Sequence, residues 1–523
     1  MDSAYRRGVP FPDVGHGPYR ILRWVNRLAV ASFSRSLESP ERAQAARFAH
    51  VLRGAAASDF GREHRLDAGV DLAAWRGMVP VRRHVEYQGW LDRVEAGEPS
   101  VLSNEPVQQL VQTSGTTGKP KRLPVTASWA ASVAAAQRLW VLGLLRDDES
   151  LAGGSALSVV SPAVSGMSPG GLGIGSNTGR MFLAQPWWVR WRAPVPYSVY
   201  CIDDIETRQY AILRYALTAD VRSWTAANPS TVLLYARRLR QWWDELSRDL
   251  ADGTLSRLKL RGLPRRTLRG DPHFPWDLRR VNCWRGGPAA YFAERIPAAL
   301  GRDVPLREAG VSASEGFFAV PIDDGDPVAW LDGHVLEFVA DDGRAFWAWE
   351  VEVGQEYGLV VSTEAGLYRY DLGDVVRITG FCGRAPRMVF VRRAGAELSA
   401  VGERVTETHL LTAATAFSLP ILALSASIGW AEVPCLRIAV AVVGPIDVQA
   451  ASRTFDVALR RENLEYEDRR ATGRFDPPVV VVVTLDAFDR WRAARVAEGA
   501  AEAQVKDPVV LSSERWDALV AGG

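Results

Sequence analysis

The decapeptide from Gln112 to Lys121, QTSGTTGKPK, concentrates the residue types that bind phosphate. Hydroxyl groups, backbone N–H groups beside two glycines and two lysine ammonium groups can converge there on one anion. A Walker A loop is excluded, because its glycines stand further apart and its lysine precedes a serine or threonine, where this chain has Pro120. The sequence therefore predicts a different loop that holds a phosphate group. Its predicted phosphate-binding residues are Thr113, Ser114, Gly115, Thr116, Thr117, Gly118 and Lys119.

Lysine is rare in this chain, so the positions that keep it are informative. The lysines are Lys119, Lys121, Lys259 and Lys506, and the other 58 of the 62 basic residues are arginines. An ammonium group on a flexible stem differs from a planar guanidinium in shape and in how it donates hydrogen bonds. Two of the four lysines lie in the phosphate loop, and Lys506 stands alone near the C-terminus. This distribution leads to the hypothesis that Lys506, like the two loop lysines, is kept for a specific role.

Further motifs follow one another along the chain. They are FGREH at Phe60–His64, VPV at Val79–Val81 with Glu86, Gly97–Glu98, Leu123–Pro124, Asn228–Pro229–Ser230, CWRGG at Cys283–Gly287 and YRYDLGDVV at Tyr368–Val376. The phosphate loop resembles that of the adenylate-forming superfamily. The ordered set, from about residue 45 to 510, resembles the Gretchen Hagen (auxin-responsive) family of acyl-acid amido synthetases. This resemblance implies an α/β fold: a large N-terminal adenylate-forming domain of mixed sheets and helices, and a small mobile C-terminal α/β lid domain.

The resemblance also implies a site for ATP and Mg²⁺. Glu315 matches the family glutamate that holds Mg²⁺ on the nucleotide phosphates, and such a bridge would neutralise charge on the leaving pyrophosphate. Val311 departs from the family, which places an aromatic residue over the adenine at this position. The other nucleotide contacts that the resemblance implies in these segments are Gly286, Gly287, Ser312, Ala313 and Ser314.

Three more residues receive roles from the resemblance. Asp374 and Arg393 match the pair that holds the ribose, and a carboxylate that accepts two hydrogen bonds suits vicinal hydroxyl groups. Lys506, in the family pattern Gln-x-Lys-x-Pro, matches the catalytic lysine beside the α-phosphate, where negative charge accumulates during adenylation. Asp371 is interpreted as a structural turn residue.

The resemblance places the acyl side of the cleft in the segments 161–166 and 175–179. The residues predicted to line this pocket are Val164, Gly175, Ser176 and Trp284. Trp187, Trp188 and Trp191 lie near these segments, but in a chain with 19 tryptophans such residues more often fill a core or a partner surface. The histidines show no zinc-ligand spacing, and no Gly-x-Ser-x-Gly motif indicates a hydrolase.

Hydrophobic spacing divides the chain into two predicted domains. Helices are expected at 19–37, 40–53, 208–218 and 230–250, and short strand-like runs fill 282–379. After residue 392 helices and strands alternate, so we predict an N-terminal domain over 1–392 and a C-terminal domain over 393–523. The resemblance implies that the C-terminal domain is a lid and that the inter-domain hinge lies at Gly395–Leu398, where small residues suit a backbone rotation. The uncharged stretch 408–431 is long enough to span a bilayer, but its broken periodicity predicts a buried helix–turn–strand unit instead.

Composition narrows the class of protein. The 523 residues carry a formal net charge of +1, which gives no reason to expect nucleic acid or a membrane as a partner. The four cysteines lie far apart, and the N-terminal residues lack the pattern of a signal peptide. We therefore expect a cytoplasmic protein with reduced thiols, whose partners are small molecules.

The combined prediction is an ATP-dependent ligase. It would convert a carboxylic acid into an acyl-adenylate and pyrophosphate, and then transfer the acyl group to an amine, by resemblance an amino acid, to give an amide and AMP. Two alternatives stay open: an acid–thiol ligase that forms acyl-coenzyme A, and a catalytically inactive module that binds a nucleotide or a partner.

Overall fold

The computed structural model describes residues 11–12, 17–112, 121–190, 192–268, 275–394, 397–401, 403–417, 419–498, 500, 502 and 505–521. The segment from Thr113 to Pro120 lies outside these residues, so the predicted nucleotide contacts of Thr113, Ser114, Gly115, Thr116, Thr117, Gly118 and Lys119 stay predictions. Trp191, the hinge residues Gly395 and Ala396, Gln504 and the side chain of Trp188 also lie outside the described part of the chain.

A layer of N-terminal helices packs on the largest sheet through one continuous hydrophobic core. The helices are α1 (Pro18–Val25), α2 (Arg27–Glu38), α3 (Pro40–Ala56), α4 (Asp59–Glu63), α5 (Leu72–Met78), α6 (His84–Glu95) and α7 (Ala127–Asp147). The single helix predicted over 19–37 is therefore two helices. Asn26 separates them, and its side chain donates to the Leu22 carbonyl (2.8 Å), which closes the last turn of α1.

The N-terminal part of the protein also contains two four-stranded sheets. The first is mixed, with the order β2 (Arg122–Val125), β1 (Gln109–Gln112), β5 (Gly173–Gly175) and β4 (Gly166–Met167). The second is parallel, with the order β10 (Leu306–Glu308), β9 (Arg280–Cys283), β6 (Val221–Thr225) and β3 (Ser155–Ser158). A short hairpin joins β7 (Thr254–Leu255) and β8 (Leu260–Arg261).

Helices connect the strands of these sheets, and all of them except α9 contribute to a second hydrophobic core shared with the parallel sheet. They are α8 (Asn177–Ala184), α9 (Trp187–Arg190), α10 (Tyr197–Tyr200), α11 (Ile205–Ala216), α12 (Pro229–Gln241), α13 (Trp243–Asp252), α14 (Ala289–Ala293) and α15 (Ile296–Ala299). The helix predicted over 230–250 is divided at Trp242, which lies between α12 and α13.

The largest sheet is antiparallel and supplies most of the candidate site. Its order is β11 (Val311–Ala313), β12 (Gly316–Val320), β13 (Val328–Ala329), β18 (Ala385–Arg393), β17 (Tyr370–Cys382), β16 (Glu356–Ser362), β14 (Val335–Val339) and β15 (Ala345–Trp347). The register places Asp374 of β17 opposite Arg393 of β18. These two residues were assigned to one ribose site although 19 positions separate them in sequence, and the strand pairing makes them neighbours.

A buried ion pair fastens the chain just before β17. Arg369 donates from Nε to Glu337 Oε1 (2.9 Å) and from Nη2 to Oε2 (3.0 Å), and Arg76 Nε donates to the same carboxylate (2.8 Å). Glu337 is only 1% exposed. Arg369 has a φ of 46°, a left-handed conformation that is unfavourable for a residue with a Cβ. The bidentate pair therefore stabilises the backbone bend that leads into Tyr370 and the candidate site.

We expect Glu337→Ala to lower the free energy of unfolding by about 3–5 kcal/mol, because the Arg369 guanidinium would stay buried without its counter-ion. Urea unfolding followed by far-UV circular dichroism measures this. The control is Glu356→Ala, which removes partly exposed ion pairs with Arg377 (2.7 Å) and Arg392 (3.3 Å) and should cost at most about 1 kcal/mol. Equal losses in the two variants would contradict the stabilising role of the buried pair.

The residues after 394 form a smaller α/β unit. It contains β19 (Glu397–Leu398), β20 (Val405–Thr406), α16 (Glu407–Ala414), β21 (Ile421–Gly429), β22 (Cys435–Val442), α17 (Val448–Glu462), α18 (Leu464–Ala471), β23 (Asp476–Val482), α19 (Leu485–Ala497) and α20 (Ser513–Ala521). Helix α16 and strand β21 confirm the helix–turn–strand unit predicted within 408–431. None of the described helices combines the length and the apolar character needed to cross a bilayer.

This C-terminal unit is docked on the N-terminal part of the protein. Tyr291 and Phe292 of α14 belong to its hydrophobic core, and the Tyr291 hydroxyl donates to the Ile421 carbonyl (2.7 Å). Arg237 of α12 pairs with Asp489 of α19 (2.5 Å). These contacts fix the position from which the C-terminal unit presents Lys506 to the large sheet.

Candidate active site

Lys121, the last residue of the predicted phosphate loop, lies beside the start of β17. Its ammonium Nζ is 3.4 Å from the Tyr370 hydroxyl. Burial, together with the charge and hydrogen bond of the neighbouring Glu315 carboxylate, raises the pKa of Tyr370, so this phenol stays a proton donor at neutral pH. Burial also lowers the pKa of Lys121, against the charges of Glu315 and Asp374. The Lys121 ammonium and the Glu315 carboxylate therefore lie on either side of the buried Tyr370 hydroxyl.

Glu315 lies in the turn between β11 and β12 and is buried. The indole N–H of Trp129, on α7, donates to its backbone carbonyl (2.8 Å) and holds the turn in place. Gly316 is required next to it, because a Cβ there would lie 2.4 Å from Nε2 of the buried His334. The carboxylate is thus carried on a rigid turn rather than on a free loop.

Asp374 and Arg393 face each other across β17 and β18, with Arg393 Nε 3.6 Å from Asp374 Oδ1. Burial raises the pKa of Asp374, although the charges of Arg393, Lys506 and Lys121 oppose that rise. Gly373 has a φ of 72° and donates its N–H to Asp371 Oδ1 (2.8 Å). Both residues lie inside strand β17, where the pairing with β16 shifts register, so the expectation of a turn at Asp371 is wrong. Asp371 instead supports a local distortion of the strand just before Asp374.

Lys506 approaches the same carboxylate from the C-terminal unit. Its ammonium lies 4.7 Å from the centre of the Trp284 ring. The Lys506 side chain is exposed to solvent. Desolvation by the neighbouring protein still lowers the pKa of Lys506, against the charges of Asp374 and Glu407. Lys121 and Lys506 both lie near enough to Asp374 for their charges to lower the pKa of its carboxyl. The fold therefore brings the last residue of the loop and the distant lysine into the neighbourhood of the same carboxylate.

Two residues of this cluster had no role assigned from the sequence. Glu407, the first residue of α16, has its pKa raised by burial, while Lys506 and Arg393 pull that pKa down. Acidic residues are common in the first turn of a helix because they interact favourably with the helix dipole. The sequence therefore provided no reason to assign Glu407 a role in the site. Tyr370 lies inside a motif that the sequence singled out, but only the fold brings its hydroxyl to Lys121.

The two glycines of CWRGG follow β9 and lie directly on β18. A Cβ at Gly286 would be 2.6 Å from the Phe390 carbonyl oxygen, and one at Gly287, where φ is 53°, would be 2.4 Å from the Val391 carbonyl oxygen. Packing therefore requires glycine at both positions. Their predicted contact with ATP stays a prediction.

The strand before Glu315 carries the other residues predicted to contact the nucleotide. Ser312 and Ala313 pair with β12, and Ser314 lies in the following turn. Val311 is 7% exposed and belongs to the main hydrophobic core. The Val311 side chain therefore packs in the core, at the position where the family has an aromatic residue over the adenine.

Glu308 braces these two segments against each other. Its carboxylate accepts the backbone N–H of Arg285 (2.8 Å), next to the CWRGG glycines, and of Gly310 (3.1 Å), next to Val311. Burial raises the pKa of Glu308 to about 7, because these hydrogen bonds offset only part of the desolvation. The Glu308 carboxylate is therefore charged only at a cost in free energy at neutral pH.

We expect Glu308→Gln to change the pH dependence of stability. A raised pKa means that the folded protein binds this proton more tightly than the unfolded chain, so its contribution is lost as pH rises through about 7. Relative to wild type, the variant should therefore gain up to about 3 kcal/mol of unfolding free energy between pH 5 and pH 8. Urea unfolding at both pH values measures it, and parallel pH profiles would contradict a buried titrating carboxylate.

The residues predicted for the acyl pocket separate into two places. Val164 and Gly175 lie against each other, since a Cβ on Gly175 would be 2.8 Å from the Val164 Cα. Ser176 caps α8 by accepting the Thr178 N–H (3.1 Å) and is 2% exposed. Val164 is 54% exposed, and Trp284 lies beside Lys506 after β9. Trp284 is the predicted acyl residue that the fold brings to the charged cluster.

The donor set fits a magnesium ion held partly by substrate. Within the described residues, no group of three or more histidine, cysteine, aspartate and glutamate side chains could hold a metal by itself. Mg²⁺ at nucleotide sites is commonly bound by one or two carboxylates and by phosphate oxygens. Glu315, next to Lys121, is placed for such a ligand, so its predicted role stays compatible with the site.

Comparison of the fold identifies the class of protein. The structure superimposes on the GH3.15 acyl acid amido synthetase with a TM-score of 0.85 and 20% identity, covering 98% of each chain. It also resembles a 2-hydroxyisobutyryl-CoA ligase in the postadenylation state, with a TM-score of 0.52 and 16% identity over 92% of this chain and 90% of that one. The fold is that of adenylate-forming enzymes, as the sequence predicted.

The family follows from the sequence matches. The GH3 family N-terminal, central and C-terminal domains match residues 29–273, 330–393 and 435–515, so the chain belongs to the GH3 family. A jasmonoyl–L-amino acid synthetase, JAR4, of Nicotiana attenuata is 24% identical over 70% of this chain and 71% of its own length. A probable indole-3-acetic acid-amido synthetase, GH3.1, of Oryza sativa subsp. japonica is 25% identical over 88% and 85%. The Gretchen Hagen resemblance is confirmed.

Proposed function

We propose that this protein is an ATP-dependent acyl-acid amido synthetase that joins a small carboxylic acid to an amine, an amino acid by preference. Membership of the GH3 family supports this, as do relatives named as amido synthetases of jasmonic and indole-3-acetic acids. The observation that carries the proposal is the convergence of Lys121 and Lys506 on Asp374, with Glu315 alongside. An ATP molecule bound there would have cations for its phosphates and a carboxylate for its ribose.

In the first half-reaction, a carboxylate oxygen of the acid attacks the α-phosphorus of ATP. A new P–O bond forms, the bond to the β-phosphate breaks, and pyrophosphate leaves with the electron pair. Lys506 stabilises the charge that accumulates on the α-phosphate, and Lys121 neutralises the phosphates at the end of the loop. Asp374 and Arg393 hold the ribose hydroxyls, which fixes the α-phosphorus relative to Lys506. Mg²⁺ bound to Glu315 and to the phosphates would supply further charge neutralisation.

In the second half-reaction, an uncharged amine attacks the carbonyl carbon of the acyl-adenylate. A C–N bond forms, the C–O bond to AMP breaks, and the amine nitrogen releases a proton to solvent. Adenylation has already made AMP a good leaving group, so this step requires mainly orientation and the exclusion of water. Trp284, whose ring lies under the Lys506 ammonium, forms one wall of the space in which the two reactants meet.

The proposed domain division places the boundary near residue 392, with a small C-terminal lid that moves between the two half-reactions. It is supported by a separate C-terminal core, which takes only a few side chains from α14 and α12. We further propose a cytoplasmic location, in line with four cysteines that form no disulfide.

The test is a panel of acids supplied with ATP and Mg²⁺, with pyrophosphate release as the first readout. Each acid that releases pyrophosphate is then incubated with amino acids or with coenzyme A, and the products are identified by mass. We expect an amide with at least one amino acid. A thioester without any amide would assign the protein to the acid–thiol ligases. ATP binding without pyrophosphate release from any acid would favour an inactive nucleotide-binding module.

A further inference from the structure

The Asn228–Pro229–Ser230 turn is a sequence motif with no role in the mechanism above. It begins α12, and Asn228 is only 5% exposed. Both ends of the Asn228 amide are used. Its Oδ1 accepts the Ser230 N–H (3.1 Å), which caps the helix, and its Nδ2 donates to the Val505 carbonyl (3.0 Å). Val505 is the residue before Lys506, so the turn holds the backbone that carries the lysine.

The other side of Lys506 is tied to the same turn. Asp507 pairs with the guanidinium of Arg492, on α19, and Arg492 Nη2 also donates to the Ser230 hydroxyl (3.3 Å). Arg492 and Ser230 are both buried. The residues on either side of Lys506 are thus connected to the first and third residues of one turn.

Trp284, whose ring lies beneath the Lys506 ammonium, is held by the same turn. The backbone N–H of Trp284 donates to the carbonyl of Ala227 (2.8 Å), the residue before Asn228. Hydrogen bonds to residues 227–230 therefore hold both the Lys506 backbone and Trp284 in place. A shift of this turn would move the ammonium relative to Asp374.

Helix capping alone does not account for asparagine at this position. A cap uses only the acceptor, and aspartate or serine would serve as well. The donor Nδ2 does something else, since it reaches a carbonyl 277 positions away in the sequence. Among residues that cap well, asparagine combines this acceptor with an amide donor.

We propose that Asn228 is a positioning residue for Lys506, whose side-chain amide sets the place of the catalytic ammonium during adenylation. The inference rests on the proposed function. Lysine has a long flexible stem, so its ammonium is placed only as well as its backbone is held. Misplacement by about 1 Å can slow a reaction about 100-fold. Loss of the Asn228 donor should therefore slow the first half-reaction and spare steps in which Lys506 takes no part.

The chain offers a matched control for this test. Asn463 caps α18 by accepting the Tyr466 N–H (2.9 Å), donates from Nδ2 to the Glu403 carbonyl (2.9 Å), and is 6% exposed. Asn463→Asp and Asn228→Asp make the same chemical change at two buried caps. Each keeps the capping acceptor and removes the amide donor, but only Asn228 contacts the Lys506 segment.

Wild type, Asn228→Asp, Asn228→Ser and Asn463→Asp are compared in pyrophosphate release, with the acid that works best for wild type. We expect both Asn228 variants to lose 10- to 100-fold in kcat for adenylation, with KM for ATP within threefold of wild type. Amide formation from chemically synthesised acyl-adenylate should stay within threefold. Hydrogen–deuterium exchange of the peptide containing 505–510 should accelerate in the Asn228 variants and not in Asn463→Asp.

The outcomes separate the two proposals. No pyrophosphate release by wild type would count against the proposed function, whereas faster exchange at 505–510 would still support the anchor. Active wild type with unchanged adenylation in both Asn228 variants would overturn the positioning role. Equal losses in adenylation and amide formation, matched by Asn463→Asp, would show a general effect on folding and would also overturn it.

Discussion

Replacement of Lys506 by alanine is expected to slow adenylation by about 100- to 1,000-fold while ATP binding stays largely intact. In the proposed mechanism the ammonium stabilises charge that develops on the α-phosphate, and removing one such donor typically costs this much in kcat. The same proposal assigns ATP binding to other groups, namely Lys121, Asp374, Arg393 and the predicted phosphate loop. Pyrophosphate release measures the first effect, and isothermal titration with ATP measures the second.

Two variants sharpen this test of Lys506. Lys506→Arg keeps the charge but replaces a compact ammonium with a planar fork, so we expect it to restore only a small part of the rate. Lys259→Ala removes an exposed lysine from the turn of the β7–β8 hairpin and should leave the rate unchanged. Weak ATP binding with normal adenylation in Lys506→Ala would contradict the catalytic role.

Glu315→Gln is expected to raise the Mg²⁺ concentration needed for half-maximal adenylation by about 10- to 100-fold, the usual range for disturbing a metal site. The amide keeps the size of the side chain, and the turn should persist because the Trp129 indole contacts the backbone carbonyl, not the carboxylate. A magnesium titration of pyrophosphate release at saturating ATP measures the change. Glu356→Gln, at a partly exposed position on β16, is the control. An unchanged Mg²⁺ requirement would rule out Glu315 as the ligand.

The sequence predicted the class of fold because short motifs and hydrophobic spacing, which are local features, indicate it at many positions along the chain. Glycine-rich and hydroxyl-rich motifs in a fixed order identify the family, and hydrophobic spacing locates helices such as α12 and strands such as β21. Helix boundaries were less accurate. The break at Asn26 accompanies a local side-chain hydrogen bond that hydrophobic spacing does not reveal, and the break at Trp242 lies where its side chain is buried in the second core. The highly charged α18, LEYEDRRA, has little apolar periodicity to mark it.

The candidate site was predictable where chemistry alone selects a residue and was missed where topology selects it. Lys506 and Glu315 stand out by type and motif. Glu407 and Glu308 do not, because they owe their environment to burial against segments distant in sequence. Gly175 and Ser176, assigned to the acyl pocket, have local roles in backbone packing and helix capping that short motifs cannot distinguish from substrate contact.

The most direct measurement is a crystal structure of the protein with a non-hydrolysable ATP analogue, Mg²⁺ and an acid that releases pyrophosphate in the assay. We expect the ammonium groups of Lys121 and Lys506 to lie within about 3.2 Å of phosphate oxygens of the same nucleotide, with Asp374 on its ribose. A nucleotide bound elsewhere, or bound here with Lys506 pointing away from the phosphates, would contradict the mechanism.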